Sequence, residues 1–249
     1  MAPILKSISG VLLAYNEEEI IASSISRLSA VFETIAQEYE IVVVGYEGSS
    51  DRTNQTVKDL SLKDSRIRLV LQRKEDRGYG GAFALGVKSA RFEWIFQSDA
   101  DGQYRFESLP SAIAATDLSR VGVLHGYRKK RQDPTERILF AALYNLYLRL
   151  LYPLSIKDVD SAYKLIRREA ATTITLKAKT GFAIAEFLLK VQKLGFEIVQ
   201  IPIEHLPRRT GTALSDKGVS NPLNLQIPRL DLITGTLGEA LQMRRELIS

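Results

Sequence analysis

Apolar positions along this chain fall into two alternating rhythms. Short continuous runs, Ser7 to Leu13, Ile41 to Val44 and Ile67 to Leu71, have the length and branched-residue content of buried strands. Between them, apolar residues recur every three or four positions. Ile20, Ile21, Ile25, Leu28, Val31, Phe32 and Ile35 predict a first helix, Thr53 to Leu60 a second and Ala82 to Ala90 a third. The joints are short: Ala14-Tyr15-Asn16-Glu17, with Asn16 as candidate helix cap, then Gly45 to Asp51, then Arg77 to Gly81. A fourth strand, from Glu93, stops at Asp99-Ala100-Asp101-Gly102. Strands alternating with helical crossovers predict an α/β fold: a doubly wound, Rossmann-like, mostly parallel sheet with helices on both faces.

The second half is less regular. Val121 to His125 predicts a strand, followed by the basic run Arg128 to Arg131. A helix from Thr135 to Tyr152 ends at Pro153, and Asp158 to Arg168 reads as a polar turn entering a short strand. Ala183 to Leu194 predicts a helix and Glu197 to Ile203 a strand. From His205 to Asn221 the pattern breaks into a basic loop, and Asp231 to Leu247 predicts a helix weakened by Gly235 and Gly238. The division expected is one domain, 1–225, with a helical tail, 226–249.

Composition narrows this picture only in places. The 249 residues suffice for one closed core, and 45% hydrophobic with 25% charged residues is ordinary for a globular protein. A net charge of +5 favours anionic partners, and the absence of cysteine removes disulfides and thiolate chemistry. The first residues carry no long apolar run of a secretory signal, so a cytoplasmic setting is expected. The stretch Ile138 to Leu154 is at the short limit for a membrane span and is interrupted by Asn145 and Arg149. It reads as a buried or amphipathic helix, with peripheral contact at the cytoplasmic membrane face as the other use.

The chemistry converges on Asp99 and Asp101. Spaced two apart at a strand end, they point the same way into the crevice where open α/β sheets bind ligands. Two such carboxylates with substrate phosphates suit a hard divalent cation. A second pair with the same spacing, Asp158 and Asp160, shows that the pattern alone is weak. The glycines at 78, 80 and 81 lack dinucleotide-motif spacing and suit a tight strand-to-helix turn. His125 and His205 read as structural, and the acids at the strand end argue against nucleic acid as a partner.

Seven segments in order, AYNEEE, IVVVGYEGSSDRT, RGYGGAFALGVKSA, SDADGQY, GYRKKR, DVDSAYKLIRRE and PRRTG, resemble the family-2 glycosyltransferases of the GT-A fold. Among these the chain looks most like the polyprenyl-phosphate sugar transferases of the dolichol-phosphate mannose type. The resemblance implies that Ala14, Tyr15, Asn16 and Glu17 contact the nucleotide, with Gly80 and Gly81 bordering it. It implies that Asp99, Asp101 and Gln103 hold Mg²⁺ or Mn²⁺ beside Ala100, and that Arg128 and Arg208 reach the donor phosphates. Ser161, Lys164 and Arg209 fall on the acceptor side. For a catalytic base the order of choice is Asp158, Asp160, Glu186, although a phosphate acceptor needs none.

Two departures from the family stand out. Gly45, Tyr46 and Glu47 replace its usual acidic stretch, so a uracil or guanine would stack on Tyr46 while Glu47 takes a ribose hydroxyl. Extra residues also separate Gly211 from Ser215 and Lys217. The expected activity is metal-dependent, inverting sugar transfer from a GDP- or UDP-linked donor to a polyprenyl phosphate. The alternatives are the same chemistry on a soluble saccharide or natural product, or nucleotide binding without catalysis.

Overall fold

The computed structural model describes residues 4–76, 78–208 and 230–248. Its centre is a seven-stranded sheet in the order β3-β2-β1-β4-β6-β5-β7. The strands are β1 (Leu5–Leu13), β2 (Ala36–Tyr46), β3 (Ile67–Gln72), β4 (Trp94–Asp99), β5 (Val121–Arg128), β6 (Tyr163–Arg167) and β7 (Glu197–Ile203). β1 to β4 pair in parallel, as the alternation requires, through the crossovers α1 (Ile21–Ile35), α2 (Thr53–Lys63) and α3 (Tyr79–Ser89). β6 inserts between β4 and β5, antiparallel to both, while β5 pairs with β7 in parallel.

The inner strands are largely apolar on both sides because each side of the sheet is covered. On one face Ile8, Leu12, Ile41, Val43 and Phe96 pack under α1, α2 and α4 (Leu109–Ala114). On the other, Val11, Val42, Val44, Ile95 and Ile166 meet α3, α5 (Thr135–Leu151), α6 (Arg168–Thr172) and α7 (Phe182–Lys193). Phe96 is the keystone of β4, with edge-to-face contacts to Phe32 at 6.3 Å, Phe106 at 5.9 Å and Tyr163 at 4.9 Å. Such pairs add roughly 0.5–1.5 kcal/mol each beyond burial, so the strand leading to Asp99 is held rigidly.

Several boundaries differ from expectation. β2 begins directly after α1, at Ala36, five residues before the apolar run, because Ala36 and Glu38 pair with β1 although glutamate is a poor strand former. α3 begins at Tyr79, after Gly78 at φ 144°. The tail, from 230 onward, is helical as α8 (Leu230–Gln242) and α9 (Arg244–Ile248), running through Gly235 and Gly238 without a break. Packing explains that continuity: Ala240 and Leu247 are buried, and the Tyr147 hydroxyl donates to the Leu237 carbonyl at 3.1 Å. The boundary expected at 225/226 lies outside the described residues.

Candidate active site

The carboxyl ends of β1, β2 and β4 lie side by side, which brings three exit loops together. The first two are stitched to each other. Asn16, in left-handed backbone at φ 55°, donates to Ser50 Oγ at 3.0 Å and accepts from the Ser50 N–H at 2.9 Å. The Glu17 N–H donates to Thr53 Oγ1 at 2.7 Å. Asn16 therefore joins two loops and does not cap α1, which starts at Ile21 with no side-chain cap. Tyr15 and Tyr46 stand on these loops with ring centroids 5.7 Å apart, and Glu47 accepts the Lys74 N–H at 3.3 Å.

The third loop carries the aspartates. The Ala100 N–H continues the ladder to Leu13 O at 3.0 Å, and its carbonyl accepts Ser24 Oγ at 2.7 Å. Gly102 then turns at φ 73°, a conformation that suits glycine, while the Gln103 N–H caps Asp101 Oδ1 at 3.1 Å. Asp99 receives the Tyr79 hydroxyl at 3.4 Å. Burial pushes the Asp99 carboxyl up and the charge of Asp101 adds to it, with Lys164, Arg128 and Arg208 opposing. Glu17 is pushed up to about 7 by burial, against the charge of Arg208 and helped by that of Asp101. Arg208 bridges the loops, donating to Glu17 Oε1 at 3.1 Å and Asp101 Oδ2 at 2.9 Å.

A row of polar residues on four adjacent strands mounts the next segment. Register sets Gln97 of β4 opposite Lys164 of β6, Lys164 opposite His125 of β5, and His125 beside Gln200 of β7. His125 Nε2 bonds the Asp158 carbonyl at 2.8 Å, so that nitrogen carries the proton; burial keeps the ring neutral, at about 3. Lys164 Nζ donates to the Ser161 carbonyl, and Gln200 holds Ser155 O at 2.8 Å and Lys157 N–H at 2.9 Å. Residues 155–161 are thus fixed to the sheet by His125, Lys164 and Gln200, of which Lys164 was expected on the acceptor side.

Asp158 and Asp160, two apart, meet opposite fates on that segment. Arg128 grips Asp158 with Nε and Nη2, both at 2.7 Å, and its backbone N–H adds a third bond at 3.1 Å. Burial raises the Asp158 carboxyl, but Arg128 and then Arg131 outweigh it and hold it at about 2. So fully paired an acid is a poor proton acceptor. Asp160 is exposed in area yet sits in a recess walled by protein, whose desolvation and the charge of Asp158 raise it to about 6. Lys164, wholly buried, is lowered to about 8 by that burial, against the pull of Asp99, Asp158 and Asp160.

Other expected residues are used elsewhere. Glu186 is buried in α7, where it accepts the backbone N–H groups of Lys177 and Ala178 and pairs with Lys190. That is the work of a loop anchor, not of a base at the carboxylate crevice. Gln103 donates its amide to the Leu206 carbonyl at 3.3 Å, clipping residues 204–208 to the aspartate loop. Gly80 and Gly81 permit close packing: a Cβ would come within 2.6 Å of the Ala178 carbonyl at one and 2.7 Å of the Asp76 carbonyl at the other. Arg131, from the basic run, pairs with Asp133 at 2.8 Å. Ser161 is buried, and Arg209 and Gly211 lie outside the described residues. Tyr79 was the residue missed; its position at the exit of β3, facing β4, is the signal that would have found it.

The chain matches the sequence profile of glycosyl transferase family 2 over residues 9–175. It belongs to that family. The enzyme is accordingly a nucleotide-sugar-dependent hexosyltransferase by class. It is 25% identical over 233 residues to an undecaprenyl-phosphate mannosyltransferase of Micrococcus luteus, covering 89% of this chain and 93% of that one. A dolichyl-phosphate beta-glucosyltransferase of Trichomonas vaginalis is 29% identical over 212 residues, covering 78% of this chain and 62% of the relative. The GT-A fold is confirmed by glucosyl-3-phosphoglycerate synthase of Mycobacterium tuberculosis, crystallised with Mn²⁺, uridine diphosphate and phosphoglyceric acid. That structure superposes with a TM-score of 0.68 at 19% identity, covering 96% of this chain and 78% of the other.

Proposed function

We propose that this enzyme moves a hexose, with inversion, from a uridine- or guanosine-diphosphate sugar to a polyprenyl phosphate. The observation carrying the donor half is the pair Asp99 and Asp101, rigidly placed at the end of β4, Asp99 raised by burial and Asp101 paired with Arg208. Their carboxylates fit a divalent cation: among the described residues Asp99 receives one long hydrogen bond, and the burial and Asp101 charge that raise it are what a cation offsets. Among the described residues no third carboxylate or histidine completes a protein-only cage, which suits a cation shared with a diphosphate. Mg²⁺ or Mn²⁺ held there would neutralise charge growing on the leaving diphosphate.

The chain's own groups do the rest. Tyr15 and Tyr46 offer aromatic faces to the base, and Glu47 lies beside them for a ribose hydroxyl. Arg208 supplies a planar fork for the diphosphate oxygens. An acceptor oxygen attacks the anomeric carbon from the side of Asp160 and Lys164; its bond forms as the carbon–oxygen bond to the diphosphate breaks, and the electron pair leaves with the nucleotide. Arg128 and Asp158, locked together, position the segment that carries Asp160.

The polyprenyl phosphate follows from the relatives' names and from the outer side of α5. Leu139, Leu143, Leu146 and Leu150 are 59%, 53%, 52% and 74% exposed in a single stripe. Exposed Arg149 stands beside Leu150 on the same helix, a pattern suited to the boundary of an anionic bilayer. No helix among the described residues is long and apolar enough to cross a membrane. The second reading, a hydroxyl on a soluble acceptor, is favoured by one observation: Asp160 at about 6 is poised to take a proton.

Two experiments test this. Thermal stabilisation by a panel of UDP- and GDP-sugars with and without Mn²⁺ is expected to show one donor acting only with the cation; no response to any donor overturns the reading. Flotation with anionic vesicles at low salt then separates the acceptors, since protein left at the bottom of the gradient supports the soluble one.

A further inference from the structure

We infer that Arg208 is the resident counter-ion of the aspartate site, so that a divalent cation enters only by turning Arg208 away from Asp101 and Glu17. The inference rests on the donor and cation reading above and deepens it. Its geometry is specific. One end of the guanidinium meets Glu17 Oε1 at 3.1 Å on the β1 exit loop, and the other meets Asp101 Oδ2 at 2.9 Å on the β4 exit loop. The side chains are mostly shielded: Arg208 is 22% exposed, Glu17 7% and Asp101 9%.

Asp101 Oδ1 accepts the Gln103 N–H at 3.1 Å, which fixes the carboxylate plane and turns Oδ2 toward Arg208. Arg208 covers that oxygen. Among the described residues its Nε is buried without a hydrogen-bond partner, and Glu17 and Asp101 are the groups its guanidinium bonds. The backbone beneath is fixed independently. The Leu206 N–H donates to Gln103 O at 2.8 Å, Gln103 Nε2 returns a bond to Leu206 O at 3.3 Å, and Tyr104 and His205 form a β-bridge. The exchange therefore needs rotation of one side chain and no movement of the strand end.

Charge explains why the exchange waits for donor. Without a diphosphate, Arg208 already partners Asp101 together with Glu17, and a bare cation must displace it to gain Asp101. A nucleoside diphosphate brings new negative charge, which gives Arg208 another partner and frees Asp101 for the cation. Donor and cation thus bind as a set, and either alone binds weakly.

The test is Mn²⁺ binding, followed by electron paramagnetic resonance on the full chain, with UDP binding by calorimetry. Arg208→Gln keeps the shape and removes the charge. The variant is expected to bind Mn²⁺ alone about tenfold or more tighter than the parent, because an opposing charge has gone. The same variant is expected to bind UDP several-fold weaker at saturating Mn²⁺, because a phosphate contact has gone. Opposite signs in one variant are the signature. Arg208→Lys, whose single ammonium spans one acid at a time, is expected to shift both affinities the same way by less, and serves if the glutamine variant melts early. Mn²⁺ affinity unchanged or weakened in both variants, while the parent still binds UDP with Mn²⁺, overturns the counter-ion role alone. Absence of Mn²⁺ and UDP binding in the parent overturns the functional reading with it.

Discussion

Glu40 lies toward the amino ends of the parallel strands, and Asp99, Asp101 and Glu17 lie at their carboxyl ends. Glu40 is 1% exposed and receives Ser9 Oγ at 2.9 Å, the Arg91 N–H at 2.8 Å, Arg91 Nε at 2.9 Å and Arg68 Nη1 at 2.7 Å. Burial raises its carboxyl, yet the bonds from Arg91 and Arg68 win and it lies below the ordinary glutamate range. At the other end burial wins: Asp99 and Glu17 both rise, although Arg208 stands among them. The same residue type is fully compensated where it serves structure and under-compensated where a ligand completes it. Charge shortage at the end of a strand, more than acidity itself, marks the site.

That contrast can be broken most sharply at Asp101. Asp101→Ala is expected to lower sugar transfer by about 10³-fold, roughly 4 kcal/mol of transition-state stabilisation, while the protein stays folded at assay temperature. Initial rates with the donor found by thermal shift check it, and unaltered turnover contradicts the cation role. Glu40→Ala is expected to do the reverse. It strands the Ser9 hydroxyl and removes the carboxylate that pairs Arg91 and Arg68, and costs about 2–4 kcal/mol in urea unfolding, with per-molecule activity retained below the transition.

A smaller effect sharpens the same comparison through pH. The folded-state rise of Asp99 means its contribution to stability is fully present below the unfolded value and is lost as pH rises through the folded one. Asp99→Asn is therefore expected to stabilise the metal-free protein by about 1–2 kcal/mol at pH 8 and by almost nothing at pH 4. Glu17 at about 7 has the same sign, so Glu17→Gln is expected to show the same trend with pH. Equal shifts at both pH values would contradict the charge shortage. Smallest is Tyr46→Ala, expected to weaken donor binding about fivefold, near 1 kcal/mol, with turnover at saturation unchanged.

Much of the first half was legible without coordinates. Continuous apolar strands and helical spacing require a sheet covered on both faces, and Asp99 and Asp101 had to emerge together at a strand end. The second half resisted for a physical reason. β6 is antiparallel and five residues long, too short for its period to reveal its direction or that it would sit between β4 and β5. Its insertion is what aligns Gln97, Lys164, His125 and Gln200, four ordinary polar residues scattered over a hundred positions.

Local pattern alone determined the α/β class, the order of the first strands and the acids at the end of β4, because periodicity and turn chemistry act within a few residues. Partnership was decided only by the tertiary structure. Asp158 and Asp160 are two residues apart and indistinguishable in spacing, yet one is locked to Arg128 and the other opens into the crevice. Arg208 meets Glu17 across 191 positions of chain. Electrostatic energy depends on distance in space and on desolvation, and both are set only after the sheet has closed.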